Sequence, residues 1–277
     1  MGRLDGKVAL ITGSGRPKGL GQGMAKRLAQ DGARIVLHDR GRIDGDVAPT
    51  HGVGTSDDLA ATADELRAGG AEVTTVTADL LDPAETEAMV ADAAGAFGRL
   101  DILVNNAGIG YLFGPMVETT VDQWDAVLGV NLRAAFLCTK AAAQRMIDQG
   151  EGGRIINIAS QAGKSGFAFT SAYTASKHGL IGFTRAVALE LAQHKITVNA
   201  ICPNHVTTGL GAWQNQFMSK ARGLTMDEYM AAMRNRIPLG RPGTVEDTAN
   251  VCAFLCSDEA AFITAEATNV TGGEEYH

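Results

Sequence analysis

Tyr173 and Lys177 stand four residues apart in Tyr173-Thr174-Ala175-Ser176-Lys177, and Ser160 precedes the tyrosine by thirteen. On a helix that spacing places both side chains on one face, an ammonium beside a phenol. A phenol with its ordinary pKa of ~10 is a weak base near neutrality, and a neighbouring cation favours phenolate. The set is suited to moving a proton on or off a substrate oxygen, with Tyr173 as general acid/base, Lys177 lowering its pKa and Ser160 holding the oxygen. Asn131, polar between Val130 and Leu132, is expected to connect Lys177 to water. Taken singly, each of these residues reads as a helix-surface side chain or a cap; their joint spacing favours chemistry.

A second group could hold an anion. Thr12-Gly13-Ser14-Gly15-Arg16-Pro17-Lys18-Gly19-Leu20-Gly21 runs directly into an amphipathic helical pattern. Glycines there let backbone N–H groups approach a pyrophosphate at a helix N-terminus, where orphan donors and the dipole favour negative charge. Neither G-x-G-x-x-G nor a Walker A spacing is met. Asp39, roughly twenty residues on, can accept from an adenosine ribose and repel a 2′-phosphate, which favours NAD over NADP. Lys18 and Arg40 argue the other way, since either can neutralise a phosphate. Asn105-Asn106-Ala107-Gly108 ends a further apolar run and is either a ribose contact or a simple turn.

These residues need a scaffold. Short β-branched runs at 8–12, 34–38, 72–78, 102–105, 154–158, 197–201 and 267–270 alternate with segments at 21–32, 57–69, 84–98, 121–149, 172–193 and 245–257. The longer segments carry apolar residues every three to four positions. The alternation predicts βαβ units: one α/β domain over residues 1–277, a Rossmann-type doubly wound parallel sheet of about seven strands with helices on both faces. Two stretches interrupt it. Residues 40–55, with Pro49 and His51, form an insertion where connections usually run ~2–6 residues. Residues 207–236 hold Trp213, Phe217, Met218, Tyr229, Met230 and Met233, an apolar segment expected to act as a substrate lid.

Composition narrows the function classes. The 277 residues are 45% hydrophobic and 20% charged, enough apolar material for a core and unlike a disordered chain. A formal charge of -7, without a basic run, disfavours nucleic acid as a partner. No apolar run is expected to reach the ~20 residues that cross a bilayer, and no targeting signal opens the chain, so a cytoplasmic location is expected. The four cysteines, Cys138, Cys202, Cys252 and Cys256, lack zinc spacing and are expected to be buried thiols; no metal is expected.

Together the Thr-Gly-rich turn, Asn105-Asn106-Ala107-Gly108 and Tyr173-x-x-x-Lys177 resemble the short-chain dehydrogenase/reductase family, as do Arg236-Ile237-Pro238-Leu239-Gly240-Arg241 and Val270-Thr271-Gly272-Gly273. The resemblance spans residues 4–273. It implies a catalytic tetrad of Asn131, Ser160, Tyr173 and Lys177, with Lys177 also bonding the nicotinamide ribose. It implies a cofactor site at Gly13, Gly19, Leu20, Gly21, Asp39, Asp79, Leu80, Asn106, Ala107, Gly108, Tyr173, Lys177, Pro203, Val206 and Thr208. Within that site Asp79 is similar to the family's adenine contact, and Val206 and Thr208 to its carboxamide contacts. It also implies pairing of the two long helices in a homotetramer or homodimer.

Four features depart from the family pattern. The glycine turn is two residues longer, Asn204 and His205 replace the usual Gly after Cys202-Pro203, Thr271 replaces a frequent Asp, and the 40–55 insertion follows Asp39. Some members with a similarly placed insertion hold NAD without exchange and pass electrons to another acceptor. The expectation is an NAD-dependent oxidoreductase interconverting a secondary alcohol and a ketone. The alternatives are an NADPH-dependent carbonyl or 3-ketoacyl reductase, a member with tightly held NAD, and a non-catalytic nucleotide-binding protein. Tyr111, Phe113, Gln161, Phe167, His205 and Trp213 are candidate substrate contacts for a partly apolar small molecule.

Overall fold

The computed structural model describes residues 2–41, 54–110 and 114–277. Most of the insertion (42–53), Tyr111 and Phe113 therefore lie outside the described residues. Seven strands form one parallel sheet in the order β3-β2-β1-β4-β5-β6-β7. They are β1 Val8–Ile11, β2 Arg34–His38, β3 Val73–Val76, β4 Ile102–Asn105, β5 Gly153–Ile158, β6 Ile196–Pro203 and β7 Ala267–Val270. Chain order runs outward from β1 to β3 and then reverses from β4 to β7, with β1 paired to β4 through Ile11 opposite Val104. That reversal opens a crevice at the carboxyl ends of β1 and β4, where sheets of this kind take ligands.

The central strands are buried on both faces, which is why they read as continuous apolar runs. In β1, Ala9 and Ile11 join a core with Met24, Ala25 and Leu28 of helix α1 (Leu20–Gln30) and with Cys252 and Leu255 of α9 (Val245–Cys256). Val8 and Leu10 join the opposite core, with Val90 and Ala93 of α3 (Pro83–Phe97) and with Cys138, Ala142 and Met146 of α5 (Ala134–Gln149). Helix α2 (Ser56–Ala68) covers the first core through Leu59 and Ala63, and α6 (Ser171–Leu191) covers the second through Ala188.

The 121–149 segment is not one uniform helix. α4 (Val121–Leu128) passes through a wide π turn, Gly129–Arg133, before α5 begins. Contrary to the composition reading, Val121–Gln149 as a whole is long and apolar enough to span a bilayer by length and hydropathy. Its α5 part packs on the sheet, with Ala134, Cys138, Ala142 and Met146 buried there, as a core helix does. The 207–236 segment is two helices, α7 (Gly209–Ala221) and α8 (Met226–Arg236). Tyr229, Met233 and Ile237 form their own buried cluster, with Met218 and Met230 against it.

A buried polar chain ties helices α5 and α6 to the sheet. The Asn105 amide donates to the Thr139 hydroxyl (2.9 Å) and to Asn157 Oδ1 (2.8 Å), and the Asn157 amide donates to the Thr184 hydroxyl (2.8 Å). β4, β5, α5 and α6 are thereby joined by directional bonds as well as by apolar packing.

Candidate active site

The first cavity lies in the crevice. It is lined by Gly13, Arg16, Gly19, Leu20 and Gly21 of the turn into α1, by His38, Asp39 and Arg40 at the end of β2, by Asp79 and Leu80 after β3, and by Asn106, Ala107 and Gly108 after β4. Two glycines are dictated by close approach. Gly13 has φ of 65°, and a Cβ there would lie 2.7 Å from Ala107 Cα; at Gly21 it would lie 2.6 Å from the Asn106 amide nitrogen. Asn106 binds the turn itself, donating from Nδ2 to the Thr12 and Gly13 carbonyls, both at 2.9 Å. Helix α1 starts at Gly19 with no side-chain cap and no acidic residue in its first turn. Its first N–H groups can therefore receive an anion.

Asp39 at the end of β2 accepts from Gly15 N (2.9 Å) and Gly41 N (3.4 Å). Asp79 pairs with Arg40 at 3.1 Å. His38 is buried behind the turn, its Nε2 3.1 Å from the Ala78 carbonyl. Burial holds its pKa below the ordinary value, which keeps the ring neutral. A dinucleotide fits these residues: a glycine cradle, uncapped helix donors for the pyrophosphate and a carboxylate at the ribose end.

Tyr173 and Lys177, on α6, also line this cavity. The Lys177 ammonium lies 5.6 Å from the Tyr173 ring centroid and donates to the Ile158 carbonyl at 2.8 Å, while the Ser160 hydroxyl, which accepts from Ala162 N at 3.1 Å, stands close enough to the Tyr173 phenol to favour its charged form. The three side chains converge. Their electrostatics differ from the sequence expectation, because burial is the largest influence on Tyr173 and raises its pKa, and the neighbouring Ser160 side chain is what opposes it. Lys177 is itself pushed down to about 8 by burial. Desolvation thus outweighs the ammonium–phenol attraction across this separation.

Asn131 is held by backbone and helix groups. It sits in the π turn with its side chain committed elsewhere, Oδ1 accepting from Ile109 N and Nδ2 donating to the Ile109 carbonyl, both at 2.8 Å, and to the Ser176 hydroxyl at 3.1 Å. It anchors the strand-end loop that lines the first cavity and bonds the face of α6 carrying Tyr173. A Cβ on Gly108 in that loop would lie 3.2 Å from Asn131 Oδ1 and 3.8 Å from Lys177 Nζ, so the two groups flank one spot on the cavity wall.

A second cavity adjoins the first, sharing Leu20, Ala159, Tyr173 and Thr208. Ser160, Gln161, Phe167 and His205 line it as expected for substrate contacts. Pro203 and Val206, expected on the cofactor, stand on this wall and not among the residues lining the first cavity; Thr208 stands at the junction. Trp213 lines neither cavity. It stacks on Phe217, with ring centroids 5.7 Å apart, and packs against the cluster of Ile109, Val127 and Ala172.

The family model described as Enoyl-(Acyl carrier protein) reductase matches residues 13–275. D-beta-hydroxybutyrate dehydrogenase of Rhizobium meliloti is 38% identical over 96% of this chain and 98% of its own. The chain belongs to the short-chain dehydrogenase/reductase family. Among solved structures of this kind, carveol dehydrogenase from Mycobacterium avium in complex with NAD superposes with a TM-score of 0.92 at 32% identity, covering 99% of both chains. A variant of actinorhodin polyketide ketoreductase with NADPH gives 0.88 at 36% identity, covering 98% of both. As a short-chain dehydrogenase/reductase, the protein is an oxidoreductase interconverting alcohol and ketone on a Rossmann-type sheet.

Several wall residues of this dehydrogenase/reductase escape a sequence reading. His38 looks like an ordinary strand residue, Arg236 stands in a motif with nothing in it to mark a cavity wall, and Glu274 lies beyond the last strand. Only the Tyr229 and Met233 pair carried a signal, the one-turn spacing of large apolar side chains in the lid segment.

Proposed function

We propose that this oxidoreductase oxidises a secondary alcohol to a ketone, or runs the reverse reaction, with NAD. One observation carries the reading: Tyr173 stands where the two cavities meet, with Ser160 on the adjoining wall and Lys177 beside it. The helix α1 N-terminus and Gly13 would hold the pyrophosphate, Asp39 the adenosine ribose and Lys177 the nicotinamide ribose. When bound, the nicotinamide supplies the acceptor or donor of hydride. Ser160 orients the substrate oxygen by its hydroxyl, and Tyr173 takes or gives the proton there at Oη. Lys177, fixed on the Ile158 carbonyl, supports the phenol as it changes charge. Helices α7 and α8 form the lid over the second cavity, whose Phe167, Met218 and Met233 suit a partly apolar substrate.

Asp39 favours NAD because a 2′-phosphate would lie against a carboxylate. NADPH is the second reading, supported by Arg16 and Arg40 on the same cavity wall and by the NADPH of the polyketide ketoreductase. Pairing of protomers through α5 and α6 is supported by apolar side chains left on their outer faces, Phe136 and Leu189, 46% and 75% exposed.

The deciding experiment follows NADH and NADPH absorbance with a panel of secondary alcohols. NAD is expected to give the higher kcat/KM, and Tyr173→Phe is expected to lower kcat by about 10²-fold or more while nucleotide affinity stays within a few-fold. A phenylalanine variant at the wild-type rate would overturn the assignment.

A further inference from the structure

The wall of the second cavity carries more charge than moving a proton requires. Arg222 and Arg236 reach it from the lid helices, and Glu274 reaches it from the segment after β7. Both Glu274 oxygens are committed: Oε1 accepts from Arg236 Nε at 3.1 Å, and Oε2 accepts from the Asn204 side-chain amide. The Asn204 amide also donates to the Thr271 carbonyl at 3.3 Å, so the chain end, the loop after β6 and the end of α8 are tied together. Glu274 takes only the Nε edge of Arg236. Among the described residues no partner engages its two terminal Nη groups, the edge that grips carboxylates and phosphates with two parallel bonds. On the same wall His205 Nε2 is buried without a hydrogen-bond partner among the described residues. Two guanidinium groups against one carboxylate leave the wall net positive; Arg222 lies over the Tyr229 ring, 5.8 Å from its centroid, which leaves the Arg236 fork and the His205 nitrogen with neither a hydrogen-bond partner nor a ring contact among the described residues. Met218, Met233 and Phe167 supply apolar surface in the same cavity.

We infer that Arg236, oriented by Glu274, binds an anionic group of the substrate. The substrate class is then a secondary alcohol or ketone that carries a carboxylate or phosphate at the far end of an apolar stretch, with His205 bonding a polar atom along it. The inference deepens the alcohol–ketone reading above and rests on it for the reacting end only. Arg236 is a specificity residue that touches substrate, and Glu274 is a positioning residue behind it.

The test uses the full chain with NAD and two hydroxy acids, 3-hydroxybutanoate and 5-hydroxyhexanoate, each against its neutral methyl ester. The coenzyme A thioester of the shorter acid is the phosphate-bearing arm. Wild type is expected to favour an anionic substrate over the ester by about tenfold or more in kcat/KM, chiefly through KM, and Arg236→Gln to collapse that ratio. Arg236→Lys should restore part of it, since the charge returns without the fork. A ratio carried by the free acids identifies a substrate carboxylate; one carried by the thioester identifies a carrier-arm phosphate. Equal kcat/KM for anion and ester in wild type, or a ratio unmoved by Arg236→Gln, overturns the inference. Calorimetric titration of the same compounds into the enzyme with NAD separates the two readings. Anion binding that Arg236→Gln weakens about tenfold upholds this site even if no alcohol is oxidised, and absence of such binding sinks it whatever the turnover.

Discussion

At the scale of the residue, the chemistry is governed by desolvation. His205 is the clearest case: burial pushes its pKa down to about 4, opposed by a smaller upward pull from Glu274 and helped by a smaller downward push from Arg236. A folded pKa below the unfolded value means that the unfolded chain binds the proton first as pH falls. Stability is therefore unaffected by this ring above the unfolded pKa near 6.5, declines between there and about 4, and levels off below. The full loss is on the order of 3 kcal/mol. His205→Asn should remove that component, so denaturant unfolding of wild type and variant at pH 7 and pH 4.5 should show the smaller pH dependence in the variant; equal slopes would place His205 in a wetter setting. Tyr173, Lys177 and Ser160 were legible because their spacing is local: one helical turn, and one strand end feeding that helix. Their pKa directions were not legible, because burial is a sum over neighbours that sequence distance does not reveal. Asn131 was found for its polarity among apolar neighbours, yet its bonds go to Ile109, twenty-two positions away, and that pairing leaves no trace in spacing.

At the scale of the element, the strands were readable because each central one is buried on both faces and so is apolar throughout, whereas bounds shifted by a few residues where polar ends still pair. β6, for example, extends to Pro203 because its end lies against β7, with Pro203 opposite Val270. The π turn at Gly129–Arg133 was hidden, since the helical period continues on both sides of it. What holds α5 and α6 in position is the amide chain through Asn105, Asn157 and Thr184. Asn157→Ala would leave one Asn105 amide hydrogen without its acceptor and Thr184 without its donor, in a position with no exposed surface. A cost of about 1–3 kcal/mol is expected for each buried group left unsatisfied, read as a lower denaturant midpoint. Because Thr139 and Thr184 lie on the helices flanking the site, kcat should fall as well. A variant with wild-type stability would show that the chain of amides is not what secures these helices.

At the scale of the whole molecule, the first cavity is built from elements that touch only in the folded state: the turn after β1, the ends of β2 and β4, and α6. Its position was legible from the alternation of strands and helices, since reversal of strand order puts a crevice there whatever the side chains are. The second cavity was legible only in part: Gln161, Phe167 and His205 were expected on it, but one wall comes from the segment after β7 meeting α8, a contact spanning 38 positions. A ligand that binds only the folded form stabilises all of it by mass action, by about 2.7 kcal/mol at a hundred times its dissociation constant. For a domain of this size that corresponds to roughly 5–10 °C in Tm, at roughly 2–4 °C per kcal/mol. Thermal unfolding followed against NAD and NADP concentration should therefore show Tm rising with each tenfold increase, NAD reaching a given shift at the lower concentration because Asp39 opposes a 2′-phosphate. Asp39→Ala should narrow the gap between the two curves by weakening NAD and relieving NADP. If Tm stays flat to millimolar concentrations of both dinucleotides, the crevice does not hold a nicotinamide dinucleotide; if NADP leads, Arg16 and Arg40 outweigh Asp39.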